Sequence, residues 1–187
     1  LQGRPVGSFG DVAVVSFHAT KPWGGAYGGM VLSRDAELCA AIADMREPDR
    51  QRTWPAYAGH HQLSDVHAAL AMQRIGIADE ESQWRKRLAA EMDAWFAEMD
   101  AKPVMRDGND YRYIVRTSGR AEEAIAALRE CGVGAARPVA SLAASDAQTV
   151  VPGAWRAWRD CVSLPLLPDC SDDEFSHIGQ AVKACIR

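Results

Sequence analysis

Valine and alanine crowd together in DVAVVSF, Asp11 to Phe17, a short β-branched run without helical spacing that predicts a strand buried on both faces. GGMVLS, Gly28 to Ser33, predicts a second short strand. The period then lengthens. Leu38, Ile42 and Met45 recur at helical spacing behind Ser33, which reads as the cap of a helix running from Arg34 to about Met45. After a stretch broken by Pro48, Trp54, Pro55 and Gly59, Ser64 opens a second helix with Val66, Leu70 and Gln73 or Ile77 on one face. Asp79 starts the longest helix, striped by Trp84, Leu88, Met92, Trp95 and Met99, and this stripe reads as core packing. Beyond KPVMRDGND the pattern shortens again. YRYIVRT (Tyr111 to Thr117) and CVSLPLL (Cys161 to Leu167) predict strands, GRAEEAIAALRECGV a helix ending at Gly132, and SDDEFSHIGQAVKACI a last helix capped by Ser171. Pro103 to Arg187 therefore reads as a small α+β unit, joined to the first part by the long helix. Two buried strands with three helices leave that first part short of the neighbours such strands need.

The 187 residues carry 48% hydrophobic positions and a net charge of -4, which suits a globular chain and gives no basic footprint for nucleic acid. No apolar run approaches a membrane span and Leu1 to Asp11 lacks the succession of a signal peptide, so the expected location is the cytoplasm, with no membrane partner. Five cysteines without a close pair read as reduced structural thiols, and the histidines show no metal-ligand pattern. The adjacent His60 and His61 are discounted as ligands because neighbouring side chains diverge, so no metal site is expected.

The candidate chemistry lies in SFHATKPWGGAYGG, Ser16 to Gly29, between the first two strands. Lysine occurs only at Lys21, Lys86, Lys102 and Lys183, and the rest of the 21 basic residues are arginines. Arginine keeps its proton near neutral pH, whereas a desolvated lysine releases it and becomes a nucleophile. Lys21 sits in a turn stiffened by Pro22 and loosened by four glycines, the kind of connection where sites are built.

GSFGDVAVVSFHATK followed by paired glycines, SDVHAALAMQRI, and CVSLPLLPDCSDDEF together resemble the C-terminal half of the DegT/DnrJ/EryC1/StrS family, the pyridoxal-phosphate-dependent sugar aminotransferases. The resemblance runs over nearly the whole chain. It implies an α/β fold, the C-terminal part of a fold-type-I transferase, with residues 1–78 ending the pyridoxal-phosphate-binding large domain, 79–102 a connecting helix, and 103–187 a small α+β domain. It also implies that Lys21 forms the internal aldimine with pyridoxal 5'-phosphate and later shuttles a proton as a free amine. Ser16 is implied to bond the cofactor phosphate, and His18 and Thr20 to shape the loop.

Several positions depart from the family pattern. His60 stands where an asparagine reaches the neighbouring subunit's phosphate, Gln62 where an arginine is usual, and Tyr27 where an acidic residue precedes the paired glycines. The aspartate for the ring nitrogen, the stacking aromatic and the first phosphate turn belong to a segment upstream of the equivalent of Leu1. None of Asp11, Asp35 or Asp44 is in a motif position to replace that aspartate. The expectation is the lysine-bearing part of a split aminotransferase, inactive as a lone chain and incomplete without an N-terminal-half partner, with such pairs dimerising. Its substrates are a small-molecule amino donor and a keto sugar or related carbocycle. The alternative is a non-catalytic subunit that stabilises a homologous aminotransferase.

Overall fold

The computed structural model describes residues 3–47, 58–97, 99–104, 111–140, 147–167 and 169–186. The chain divides into two compact units, Leu1–Asp79 and Glu80–Arg187.

The first unit carries a 3₁₀ turn at Val6–Ser8, strands β1 (Val12–Ser16) and β2 (Gly29–Ser33), and helices α1 (Ala36–Arg46) and α2 (Asp65–Gly76). β1 and β2 pair antiparallel, in register from Val12 opposite Ser33 to Ser16 opposite Gly29. The expected helix cap moves by two residues. Asp35, not Ser33, accepts the amides of Glu37 and Leu38, because a carboxylate at that position reaches two free amides at once. Ser33 instead donates to the Asp11 carbonyl at 2.7 Å and accepts from the Asp35 amide, tying strand end to helix start. Ser64 caps α2 as expected, accepting from the His67 amide.

The strands expected to be buried on both faces are open in this unit. Val14 is 76% exposed, and Val12, Val31 and Leu32 also face outward. The reason is architectural: among the described residues the ribbon has no sheet neighbour beyond its own two strands, and α1 buries none of its residues. Only Phe17, Gly25 and Ala71 are buried among the described residues of this unit.

The second unit contains nearly all of helix α3 (Ala78–Trp95), then β3 (Lys102–Pro103), β4 (Tyr113–Arg116), α4 (Ala121–Glu130), α5 (Ala147–Val150), α6 (Pro152–Asp160), β5 (Cys161–Leu164) and α7 (Asp172–Cys185). β4 is the central strand, antiparallel to both β3 and β5. Its buried Tyr113 and Val115 meet Val162 and Leu164 of β5, Leu128 of α4 and Val182 of α7 in one core. Met92 is fully buried there, while Leu88, Trp95 and Met99 pack on its margin, with the Trp95 ring 4.8 Å from that of Phe175. The tryptophan stripe is therefore core packing at Trp95.

Polar groups pin one end of β4 and the start of α7. The Asp160 carboxylate accepts the amides of Thr117 and Gly119, holding the tight turn in which Ser118 and Gly119 take positive φ. Ser171 and Glu174 form a reciprocal capping box at the start of α7. Among the described residues no helix is long and apolar enough to cross a membrane.

Candidate functional site

Ser16 ends β1, and the chain leaves the ribbon in a loop whose backbone is bonded at almost every step. Phe17 donates to Gly28 O at 2.9 Å, Ala19 to Ala26 O at 3.1 Å and Gly25 to Phe17 O at 2.9 Å, which continues the pairing of the strands into the loop. At its tip the Lys21 amide donates to His18 O at 2.9 Å and the Lys21 carbonyl accepts from Gly24 N at 2.8 Å. Both backbone groups of Lys21 are thus satisfied locally, so its Cα is fixed while its half-buried side chain points from a rigid base.

Glycine is required at two points of this loop. A methyl group at Gly24 would lie 2.6 Å from His18 O, and one at Gly25 would lie 2.6 Å from the amide nitrogen of Ala71 in α2. Gly25 therefore lets the lysine loop lie directly against the helix opened by Ser64. Ala26 has a φ of 79°, an alanine held in the left-handed region by the bonds on either side of it.

Two expected loop-shaping residues do shape the loop. His18 Nδ1 accepts the Thr20 amide at 3.3 Å and lies 3.0 Å from Thr20 Oγ1. Ser16 Oγ accepts the His18 amide at 3.3 Å and keeps its own hydrogen to donate elsewhere. Ser16 and Lys21 thus belong to one loop. His60 is exposed on a separate segment, whose flanking amides, Gly59 and His61, bond to Met45 O and Arg46 O at the end of α1.

His67 was not singled out by the sequence. Its Nδ1 lies 2.9 Å from the Ser64 hydroxyl, and its ring lies 6.4 Å from that of Tyr27, which in turn packs edge-on against His18 at 6.0 Å. Tyr27, the residue standing where the family pattern has an acid, thereby bridges two imidazoles from the lysine loop and from α2. The signal was present in the spacing: a serine cap places the residue three positions later beside its hydroxyl.

The second unit holds a cavity of about 510 Å³ whose lining includes Val133, Leu167, Cys170 and His177, but none of Ser16, Lys21 or His60. Burial, and then the nearby Glu174 and Asp172 carboxylates, push the Cys170 thiol up, which disfavours a reactive thiolate there. Among the described residues no group of three or more potential ligands is placed to hold a metal ion.

The family model described as the DegT/DnrJ/EryC1/StrS aminotransferase family matches residues 1–183. The chain belongs to this family. A UDP-N-acetyl-3-dehydro-alpha-D-glucosamine 3-aminotransferase of Acidithiobacillus ferrooxidans is 25% identical to it, over 98% of this chain and 53% of that protein. Among solved structures, Helicobacter pylori PseC, an aminotransferase involved in the biosynthesis of pseudoaminic acid, superposes with a TM-score of 0.86 at 19% identity, over 100% of this chain and 56% of that one. The putative sugar aminotransferase Spr1654 of Streptococcus pneumoniae, in its PMP form, gives 0.85 at 21% identity, over 98% and 55%. The mixed α/β fold of this DegT/DnrJ/EryC1/StrS chain is therefore that of the sugar aminotransferases, and it spans about half the length of the relatives it matches.

Proposed function

We propose that this chain is the lysine-bearing part of a pyridoxal-phosphate-dependent aminotransferase acting on a keto sugar or related carbocycle, with the ring-nitrogen aspartate supplied by another chain. The observation that carries the reading is the placement of Lys21 in a family member: one amine on a loop whose backbone is fixed on both sides of it.

The donor set fits the cofactor. Ser16 has a hydroxyl hydrogen not used by its bond to His18, suited to a phosphate oxygen, and Lys21 supplies a primary amine a few residues away. Pyridoxal phosphate, when bound, supplies an aldehyde and a ring that accepts the electrons of a substrate carbanion. Lys21 would hold the cofactor through its Nζ, and as a free amine that nitrogen would take up and return a proton at the reacting carbon. His60 is assigned a bond to a phosphate oxygen at a subunit boundary. In this reading the partner is a chain carrying the other half of the fold, in a dimer of such pairs, and the open faces of β1 and β2 support it.

A second reading, an assembly subunit without catalysis, is favoured by Gln62, which cannot supply the charge of the arginine usual at its position. Borohydride reduction of the complex with the complementary half, followed by peptide mapping, decides between them. The expected adduct is on Lys21, and Lys21→Arg abolishes it together with activity. An adduct on the other chain, with Lys21→Arg fully active, establishes the assembly reading instead.

A further inference from the structure

Cys131 follows α4 and Cys185 ends α7, 54 residues apart in sequence, yet their Sγ atoms stand 3.7 Å apart. Both thiols are free, Cys131 is exposed, and Cys185 is half-buried. The backbone around them is anchored. The Cys131 amide donates to Ala127 O, its carbonyl lies 2.8 Å from His177 Nε2 of α7, and Ile186, next to Cys185, is buried in the core. α4 and α7 are thus already joined beside the two sulfurs, so bringing these to a bonded distance of about 2.05 Å asks for side-chain rotation and a small shift of two helix ends. The remaining cysteines lack such a partner: Cys161 is buried as the first residue of β5, Cys39 donates to Ser33 O, and Cys170 faces the cavity.

We propose that Cys131 and Cys185 are a reversible oxidation site, closing a disulfide between the ends of α4 and α7 when the protein meets a two-electron oxidant of the peroxide class. The exposed Cys131 reacts first. Its thiolate attacks one peroxide oxygen, the O–O bond breaks, and the departing hydroxide takes a proton to become water, leaving a sulfenic acid on Cys131. Cys185 then attacks that sulfur, the S–O bond breaks, and the second oxygen leaves as water with the Cys185 proton. Two thiols lose two electrons and one peroxide becomes two waters. Burial, together with the bond to Cys131, pushes the Cys185 thiol up, which suits it to the second step rather than the first. The bridge encloses α5, α6, β5 and α7 and restricts the unfolded chain, so the oxidised second unit is harder to unfold. Its formation is independent of the proposed aminotransfer.

The test treats the full chain with hydrogen peroxide, blocks remaining thiols by alkylation, and maps peptides by mass spectrometry. The expected product is one cross-linked pair containing Cys131 and Cys185, lighter by two hydrogens and restored by dithiothreitol. It is retained in Cys39→Ser and Cys170→Ser and lost in Cys131→Ser. Oxidation is expected to raise the unfolding midpoint of the wild-type second unit by roughly 8 °C or more and to leave that of Cys131→Ser unmoved. The same peptide pair is sought in expressing cells challenged with peroxide and quenched in acid, which detects the bridge even if the purified chain aggregates. Pairing of other cysteines, over-oxidation of Cys131 without a bridge, or no pair in either setting overturns the proposal.

Discussion

Gly25 lies against the backbone of Ala71, so close that a methyl group in place of its hydrogen would come 2.6 Å from the Ala71 nitrogen and 2.8 Å from its Cα. This approach seats the lysine loop on α2. Both sides are main chain, so neither can rotate away. Gly25→Ala is expected to push the loop off the helix at a cost of about 1 to 3 kcal/mol and to lower the yield of borohydride trapping at Lys21. Gly76, near the end of the same helix, has open space where its side chain would be, and Gly76→Ala should stabilise by about 0.5 to 1 kcal/mol. Trapping yield and thermal midpoint of the two variants check the pair.

Ser16→Ala and His60→Ala separate the two proposed phosphate ligands. Each is expected to weaken cofactor retention by about 1.5 to 3 kcal/mol, the range for a hydrogen bond to a charged acceptor. Ser16→Ala also removes the acceptor for the His18 amide, so it should alter the loop as well as the affinity. His60 is exposed and its neighbours bond to α1 through backbone, so His60→Ala should act on affinity alone. Dialysis against cofactor-free buffer, followed by absorbance, measures both; unchanged retention in His60→Ala removes it from the site.

The capping box of α7 gives a pH dependence with a definite sign. Backbone and side-chain bonds from Ser171 hold the Glu174 carboxyl below its ordinary value of 4.5. A carboxyl lowered on folding contributes stability that is fully present above 4.5 and is lost as pH falls through the folded value. Ser171→Ala should cost about 1 kcal/mol at neutral pH. The gap between wild type and variant should narrow at pH values well below 4.5, as thermal unfolding across that range would report.

The same box explains which parts of the fold were legible in the sequence. A serine followed three places later by glutamate, ahead of an apolar stripe, allows one local solution, and α7 starts where it says. Ser33 misled because Asp35 competes for the same amides with a charge. No element is expected from the sequence between Gly132 and Cys161, yet α6 starts there at Pro152, a residue well suited to the first turn of a helix. β3 is two residues long, too short for any pattern to show. At the candidate site, the glycine-rich turn around Lys21 was legible as a pattern, and close backbone approach at Gly24 and Gly25 accounts for two of its glycines. The contact of the Tyr27 ring with both His18 and His67 was not legible, since it depends on α2 meeting the loop. The valines of β1 and β2 show burial only as a requirement, without naming what would cover them.

That requirement leads to the last prediction. In the second unit β4 is paired on both edges and its inward side chains are wholly enclosed, whereas the described first unit buries only Phe17, Gly25 and Ala71. Protection from amide exchange follows burial and the cooperativity of the surrounding core. In the chain alone, the amides of β4 and β5 should exchange slowly, at a rate set by unfolding of the second unit. Those of β1 and β2 should exchange at nearly the rate of an open chain, since a two-stranded ribbon is marginal in water. Adding the complementary half should slow exchange across 12–16 and 29–33 and leave β4 unchanged, because only the first unit has large apolar side chains in its strands left open to be covered. Exchange measured by mass spectrometry with and without that partner gives the comparison. Equal, strong protection of both units in the isolated chain would show that the ribbon needs no second chain, and the split-enzyme reading would then lose its structural support.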